Sequence, residues 1–105
     1  MADRAMKVRS YEVDDKEAKA LRWLYEHPGP GVNTYTLAMM LYPDVNPSSK
    51  DFAAPYDETR DVVEKLVMLK LVNGERGLDA ARRIYRSDLK LSHAGERKAI
   101  ELSLS

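Results

Sequence analysis

Apolar residues along this chain change period from segment to segment, and each change marks an element. In residues 57–72, DETRDVVEKLVMLKLV, Val62, Val63, Leu66 and Leu69 recur at three- and four-residue spacing, which places them on one face of an α-helix, expected over 57–70. The pattern stops at Leu71-Val72. Asn73-Gly74 follow, residues suited to positive φ, and are expected to end the helix or begin a turn. From Ile84 the period drops to two. Tyr85, Leu89 and Leu91 fall on one face, and Arg82, Arg86, Asp88 and Lys90 on the other, as in a half-buried strand. Between lies NGERGLDAARR, read as a short extended segment and a long basic tip. Ser92 is placed to cap a last helix over 93–102 by accepting a bond from a free amide near Gly95.

Upstream, Asp14 or Asp15 is a suitable N-cap for a helix over 15–27. Ala18, Leu21, Leu24 and Tyr25 form its apolar stripe, with Trp23 near the edge. Pro28 disfavours helix in the residue before it, and Pro28-Gly29-Pro30-Gly31 is a marked turn. Asn33 or Thr34 caps a second helix over 34–42, with Leu37, Ala38 and Leu41 inward. Residues 43–56 contain Pro43, Pro47, Ser48, Ser49 and Pro55, and read as a long inserted loop pinned by Phe52 and Tyr56. Residues 1–13 show no helical period and carry Arg4, Lys7 and Arg9; they read as a mildly basic N-terminal arm, with residues 14–105 as the domain.

Several of these stretches resemble a known superfamily. Leu37-Ala38-x-x-Leu41, after a Gly/Pro turn, is similar to the second helix of winged helix-turn-helix proteins. Leu66-Val67-Met68-Leu69-Lys70-Leu71-Val72 resembles the Leu-x-x-x-Gly-Leu-Val run that ends their third helix and opens a wing strand, with Lys70 where glycine is usual. Leu89-Lys90-Leu91-Ser92-His93-Ala94-Gly95 resembles the Leu-Thr-x-x-Gly ending of the wing in bacterial repressors. The resemblance covers residues 15–102 in outline and identifies no single family. It implies a mainly α fold with a small β-hairpin: a three-helix core, a wing and a C-terminal helix.

Composition narrows the chemistry. The chain has 105 residues, 44% of them hydrophobic and 32% charged, as in an ordinary globular domain. It has no cysteine, which excludes disulfides and thiolate sites. His27 and His93 lie in different elements without metal-ligand spacing, and no glycine-rich loop or nucleophile elbow is present, so neither an enzyme nor a cofactor is expected. Glu58, Asp61 and Glu64, three residues apart, read as a solvated helix face rather than a weak cation site. With no signal-like segment or apolar span, the expected compartment is the cytoplasm, with no membrane partner.

Seventeen basic residues balance seventeen acidic ones, but unevenly: residues 57–72 hold four acids against three bases, whereas 73–105 hold seven bases against five acids. The resemblance implies that the third helix enters the major groove of double-stranded DNA while the wing tip meets phosphate. The candidate contacts are Arg60, Lys65, Arg76, Arg82, Arg83 and Arg86; the plain alternative for the arginine cluster is a solvated hairpin tip. The functional expectation is a transcriptional regulator acting as a homodimer. The alternative is a winged-helix module that binds a protein and not DNA. A continuous positive stripe joining Arg60, Lys65 and the wing would favour the first, and an apolar groove lined by Met39, Met40 and Phe52 the second.

Overall fold

Side-chain caps set where the helices begin. In the computed structural model, which describes residues 13–103, Asp14 opens α1 (Asp15–Glu26) with a capping box. Its carboxylate accepts from the Glu17 amide at 2.8 Å, and the Glu17 carboxylate accepts from the Asp14 amide at 3.0 Å. Asn33 caps α2 (Thr34–Leu41) by accepting from the Thr36 amide at 2.7 Å. Ser92 accepts from the Gly95 amide at 3.0 Å to begin α4 (His93–Ser103). The expected N-terminal arm lies outside the described residues, apart from Val13.

The third helix differs from the expectation at both ends. It begins at Ala53 rather than Asp57, as α3 (Ala53–Met68), behind a 3-10 turn at Lys50–Phe52. Pro55 stands in its first turn, where a missing amide costs no helical bond, so it opens the helix instead of blocking it. Its carbonyl accepts from the Thr59 hydroxyl at 2.9 Å. The expected loop 43–56 is thereby cut to residues 42–49, which fold into tight turns: the Val45 amide donates to the Tyr42 carbonyl at 3.2 Å and the Ser49 amide to Asn46 at 2.9 Å. Phe52 is buried beneath it, as its anchoring role requires.

At its far end α3 stops before Asn73-Gly74. Lys70 itself takes the left-handed conformation, with φ of 64°. The Lys70 amide bonds the Val67 carbonyl at 2.9 Å, and the Leu71 amide reaches back to Leu66 at 3.0 Å. That pair of bonds is a Schellman ending, with lysine where the sequence pattern leads one to look for glycine. Asn73 and Gly74 belong to the strand that follows.

Strands β1 (Val72–Leu78) and β2 (Ile84–Leu91) pair antiparallel from Val72 opposite Leu91 to Leu78 opposite Ile84. β1 takes up most of the supposed basic loop, and the tip shrinks to a tight turn. The Asp79 carboxylate accepts from the Ala81 and Arg83 amides, both at 2.9 Å, and Arg82 adopts φ of 63°. The pairing slips between Asn73 and Glu75, where β2 carries an extra residue and Asp88 sits at φ of 53°. This bulge breaks the strict alternation expected for β2, and Arg86 lands on the same side as Leu89, both against Gly74.

The core lies where the four helices meet the base of the hairpin. Leu21, Leu24, Leu37, Leu41, Val63, Leu66, Leu71 and Leu89 are buried, with α1 packed on α4 and α2 on α3. Leu91, expected inside, is half-buried, and Tyr25 is exposed, because the stripe of α1 is centred on Glu17, Ala20, Leu21 and Leu24. Thr34 is fully buried yet satisfied: its hydroxyl donates to the Arg86 carbonyl at 3.3 Å and accepts from the Arg86 amide at 3.1 Å. With the bond from the Leu89 amide to the Val32 carbonyl at 2.8 Å, this joins the start of α2 to β2. No described helix is long and apolar enough to cross a membrane.

Candidate nucleic-acid interface

Six cations were expected to meet DNA, and four of them are engaged within the chain. Arg60 donates to Asp57 at 2.8 Å and lies 4.0 Å from Asp61. Arg83 reaches the same Asp57 carboxylate at 2.6 Å and Asp79 at 3.8 Å, which fastens the hairpin tip to the first half of α3. Lys65 turns away from the hairpin to Glu17 of α1 at 3.0 Å. The Glu17 carboxylate holds the Lys65 ammonium above its ordinary range. Its own side chain is 3% exposed. Nothing in the sequence around Glu17 separates it from the solvated acids of a helix start; its partner comes from another helix.

Arg86 is the clearest correction. Expected on the outer face, it is turned inward by the bulge. Nε and one terminal nitrogen each donate to Glu64 at 2.9 Å, and the other donates to the Gly74 carbonyl at 3.1 Å. Both partners are largely covered, at 16% and 26% exposure. A bidentate, partly desolvated pair of this kind is a strong form of ion pair.

Arg76 and Arg82 differ from these. Both are exposed, and neither makes an ion pair among the described residues. Arg76 sits on β1 opposite Arg86, and Arg82 at the tip. On α3 the charge most open to solvent is an acid, Asp61. Glu58 and Glu64 are drawn elsewhere: Glu58 accepts from Lys16 at 2.6 Å and from the Tyr42 hydroxyl. These two contacts hold its carboxyl below the ordinary range. Glu58, Asp61 and Glu64 therefore share no site, and the described residues hold no cluster of three or more acids and histidines fit for a metal ion.

Neither surface posed as a discriminator is present in the expected form. Lys65 is paired with Glu17 of α1 and Arg60 with Asp57, so neither extends the wing's cations as a free charge. Phe52 and Met40 line different cavities, the first beside Tyr35 and Tyr56 and the second beside Trp23 and Leu41. The sequence reading missed Tyr35, and it missed Lys50, an exposed cation at the rim of the Phe52 cleft.

A helical trio whose third member is followed directly by a two-stranded hairpin and a return helix decides the architecture, and known structures share it. MepR, a transcription regulator of the Staphylococcus aureus multidrug efflux pump MepA, superposes with a TM-score of 0.61 at 18% identity. The match covers 93% of this chain and 61% of that one. A structure of S. aureus MepR in DNA-binding conformation matches at 0.59 and 17% identity, over the same shares of the two chains. The fold is a winged helix-turn-helix. The chain spans about three-fifths of the length of these proteins. No protein-family model and no curated protein sequence matches it. In the winged helix, α3 is the third helix of the trio and β1–β2 form the wing.

Proposed function

We propose that this chain is a DNA-binding regulator whose wing supplies most of its grip on the duplex. The observation that carries this reading is the wing's pair of uncommitted arginines, Arg76 and Arg82, on a hairpin held to α3 by Arg86–Glu64 and Arg83–Asp57. Guanidinium groups held on a rigid support meet phosphates without first being ordered, and phosphate contact dominates affinity for duplex DNA. The MepR likeness supports the same reading at the level of fold. Arg60 and Arg83 reach DNA only by leaving Asp57, whereas Lys65 and Arg86 hold the helices and wing in position. Two copies would give the protein two half-sites, and the expected place of action is the cytoplasm.

The test is a salt titration of binding to duplex DNA by the parent and by the Arg76→Ala/Arg82→Ala variant. Phosphate contacts are blind to sequence. The variant should therefore lose affinity for specific and random duplexes by similar factors and flatten the salt dependence by roughly one unit per lost contact. Unchanged affinity at low salt would remove the reading. Balanced net charge and the open acid Asp61 on α3 favour a second one, a winged-helix module that binds a protein partner. It is indicated if the parent binds no duplex at low salt.

A further inference from the structure

Between the wing tip and the start of α3 lies a cleft of about 390 Å³. One wall is aromatic: Tyr35 from α2, Phe52 from the 3-10 turn and Tyr56 from α3, with centroids 5.5 to 6.4 Å apart. The opposite wall is Ala80 and Ala81 at the wing tip, whose methyl groups leave the space open. The three rings meet at 34° to 73°, none stacked face on face. Tyr35 stays 39% exposed, and its hydroxyl has no hydrogen-bond partner among the described residues. Ligand clefts range upward from about this size and are lined mostly by apolar and aromatic side chains with a few placed polar groups.

The charges select among such ligands. Asp79, the acid in the cleft, is already occupied: it accepts from the Ala81 and Arg83 amides at 2.9 Å and from the Tyr56 hydroxyl at 3.4 Å. Arg83 sits beside it, and Lys50 stands at the rim without an ion pair among the described residues. An aromatic wall next to a free cation is the arrangement that takes a base and its phosphate together, since every base has a face to stack and a charge that follows it. A base inside a duplex shows a protein only its edge. A ring wall therefore calls for a base that is out of the stack.

Resting on the DNA-binding reading, we propose that this cleft holds one unpaired nucleotide of a DNA strand, its base against Tyr35 and Tyr56 and its phosphate at Lys50. The wing arginines then hold the flanking backbone, and the exposed Asp61 of α3 need not enter a groove. A fully paired duplex binds through the wing alone, and a duplex with an unpaired base adds the cleft.

The test compares fluorescence anisotropy of a paired duplex with that of the same duplex carrying one bulged adenine, at fixed low salt. The bulged duplex should bind roughly fivefold or more tightly, the lower range of one stacked base. Tyr35→Ala should abolish that preference and leave paired-duplex affinity in place. Tyr35→Phe, which keeps the ring, should retain it. Arg76→Ala/Arg82→Ala should weaken both duplexes alike, which separates the wing reading from this one. Equal affinity of the parent for the two duplexes, or a Tyr35→Ala loss shared by both, overturns the proposal. If neither duplex binds, a titration with dAMP decides what is left. Resonance shifts at Tyr35 and Tyr56 would reassign the cleft to free nucleotides, and no shifts would discard it.

Discussion

Gly95 is a position where two physical effects oppose each other in sign. It lies in the first turn of α4, where replacing glycine by alanine ordinarily stabilises a helix by about 1 kcal/mol. A Cβ added there, however, would stand 1.9 Å from the Leu71 carbonyl oxygen and 2.9 Å from its carbon. The obstacle is backbone, so no side-chain rotation relieves it. Leu71 is itself fully buried, and its carbonyl accepts from the Ser92 amide at 2.9 Å. Moving it breaks the link between the end of α3 and the cap of α4. Forcing such a contact costs about 1–3 kcal/mol or more, and the displaced hydrogen bond about another 1 kcal/mol. Set against the gain in helix propensity, Gly95→Ala should destabilise by roughly 1–3 kcal/mol. Urea unfolding followed by far-ultraviolet circular dichroism measures this, with the slope checked for constancy. A variant as stable as the parent, or more so, would show that α4 can slide off Leu71, and the close approach would lose its structural meaning.

Two further outcomes follow from the same packing. Burial and the hydrogen bond donated to Glu58 push the Tyr42 phenol up to about 12 from its ordinary 10.0; because the folded value is the higher, Tyr42 contributes stability that is complete below the ordinary value and is lost as pH rises through the folded one. Burial also raises Tyr56 and Tyr85, so phenolate absorbance should show Tyr42 as the last of the late-titrating tyrosines, a step that Tyr42→Phe removes; its titration together with the exposed tyrosines would refute the coupling. A double-mutant cycle on Arg86→Ala and Glu64→Ala should give a coupling of about 1.5–3 kcal/mol, as for hydrogen bonds to charged groups. A coupling near zero would mean that the pair is an exposed contact and not a strut.

What could be read in the sequence was what depends on neighbours along the chain. Asp14, Asn33 and Ser92 cap helices because their side chains meet amides two or three residues on, and that chemistry is local. The leucines of the core follow helical spacing for the same reason. Pro55 misled because its effect depends on where it stands: at a helix interior it breaks, and in the first turn it begins. Lys70 was legible only as a departure from a pattern. Its left-handed conformation is imposed by the Schellman bonds and the burial of Leu71, not by any preference of lysine. Glu17–Lys65 and Arg86–Glu64 were not legible, since each partner sits on a different element and looks like an ordinary surface charge from its own surroundings. The aromatic cleft was half legible: Phe52 and Tyr56 were recognised as anchors, and Tyr35, from another helix, was not.

The bulge at Asp88 has the largest consequence for how the wing works. Under strict alternation Arg86 would point outward and add a cation to the exposed side of the wing. The extra residue instead brings it into phase with Leu89, where three hydrogen bonds to Glu64 and Gly74 use its donors. Pulling Arg86 out to solvent would leave a largely covered Glu64 carboxylate unpaired, which is costly. Arg86 is therefore better kept inside, and its charge acts indirectly. Together with Arg83 on Asp57, it fastens the hairpin to α3 at two points, one at the tip and one on β2. Arg76 and Arg82 are presented at a fixed spacing as a result. The wing thus divides its arginines: those that pair with α3 fix its orientation, and Arg76 and Arg82 are left exposed.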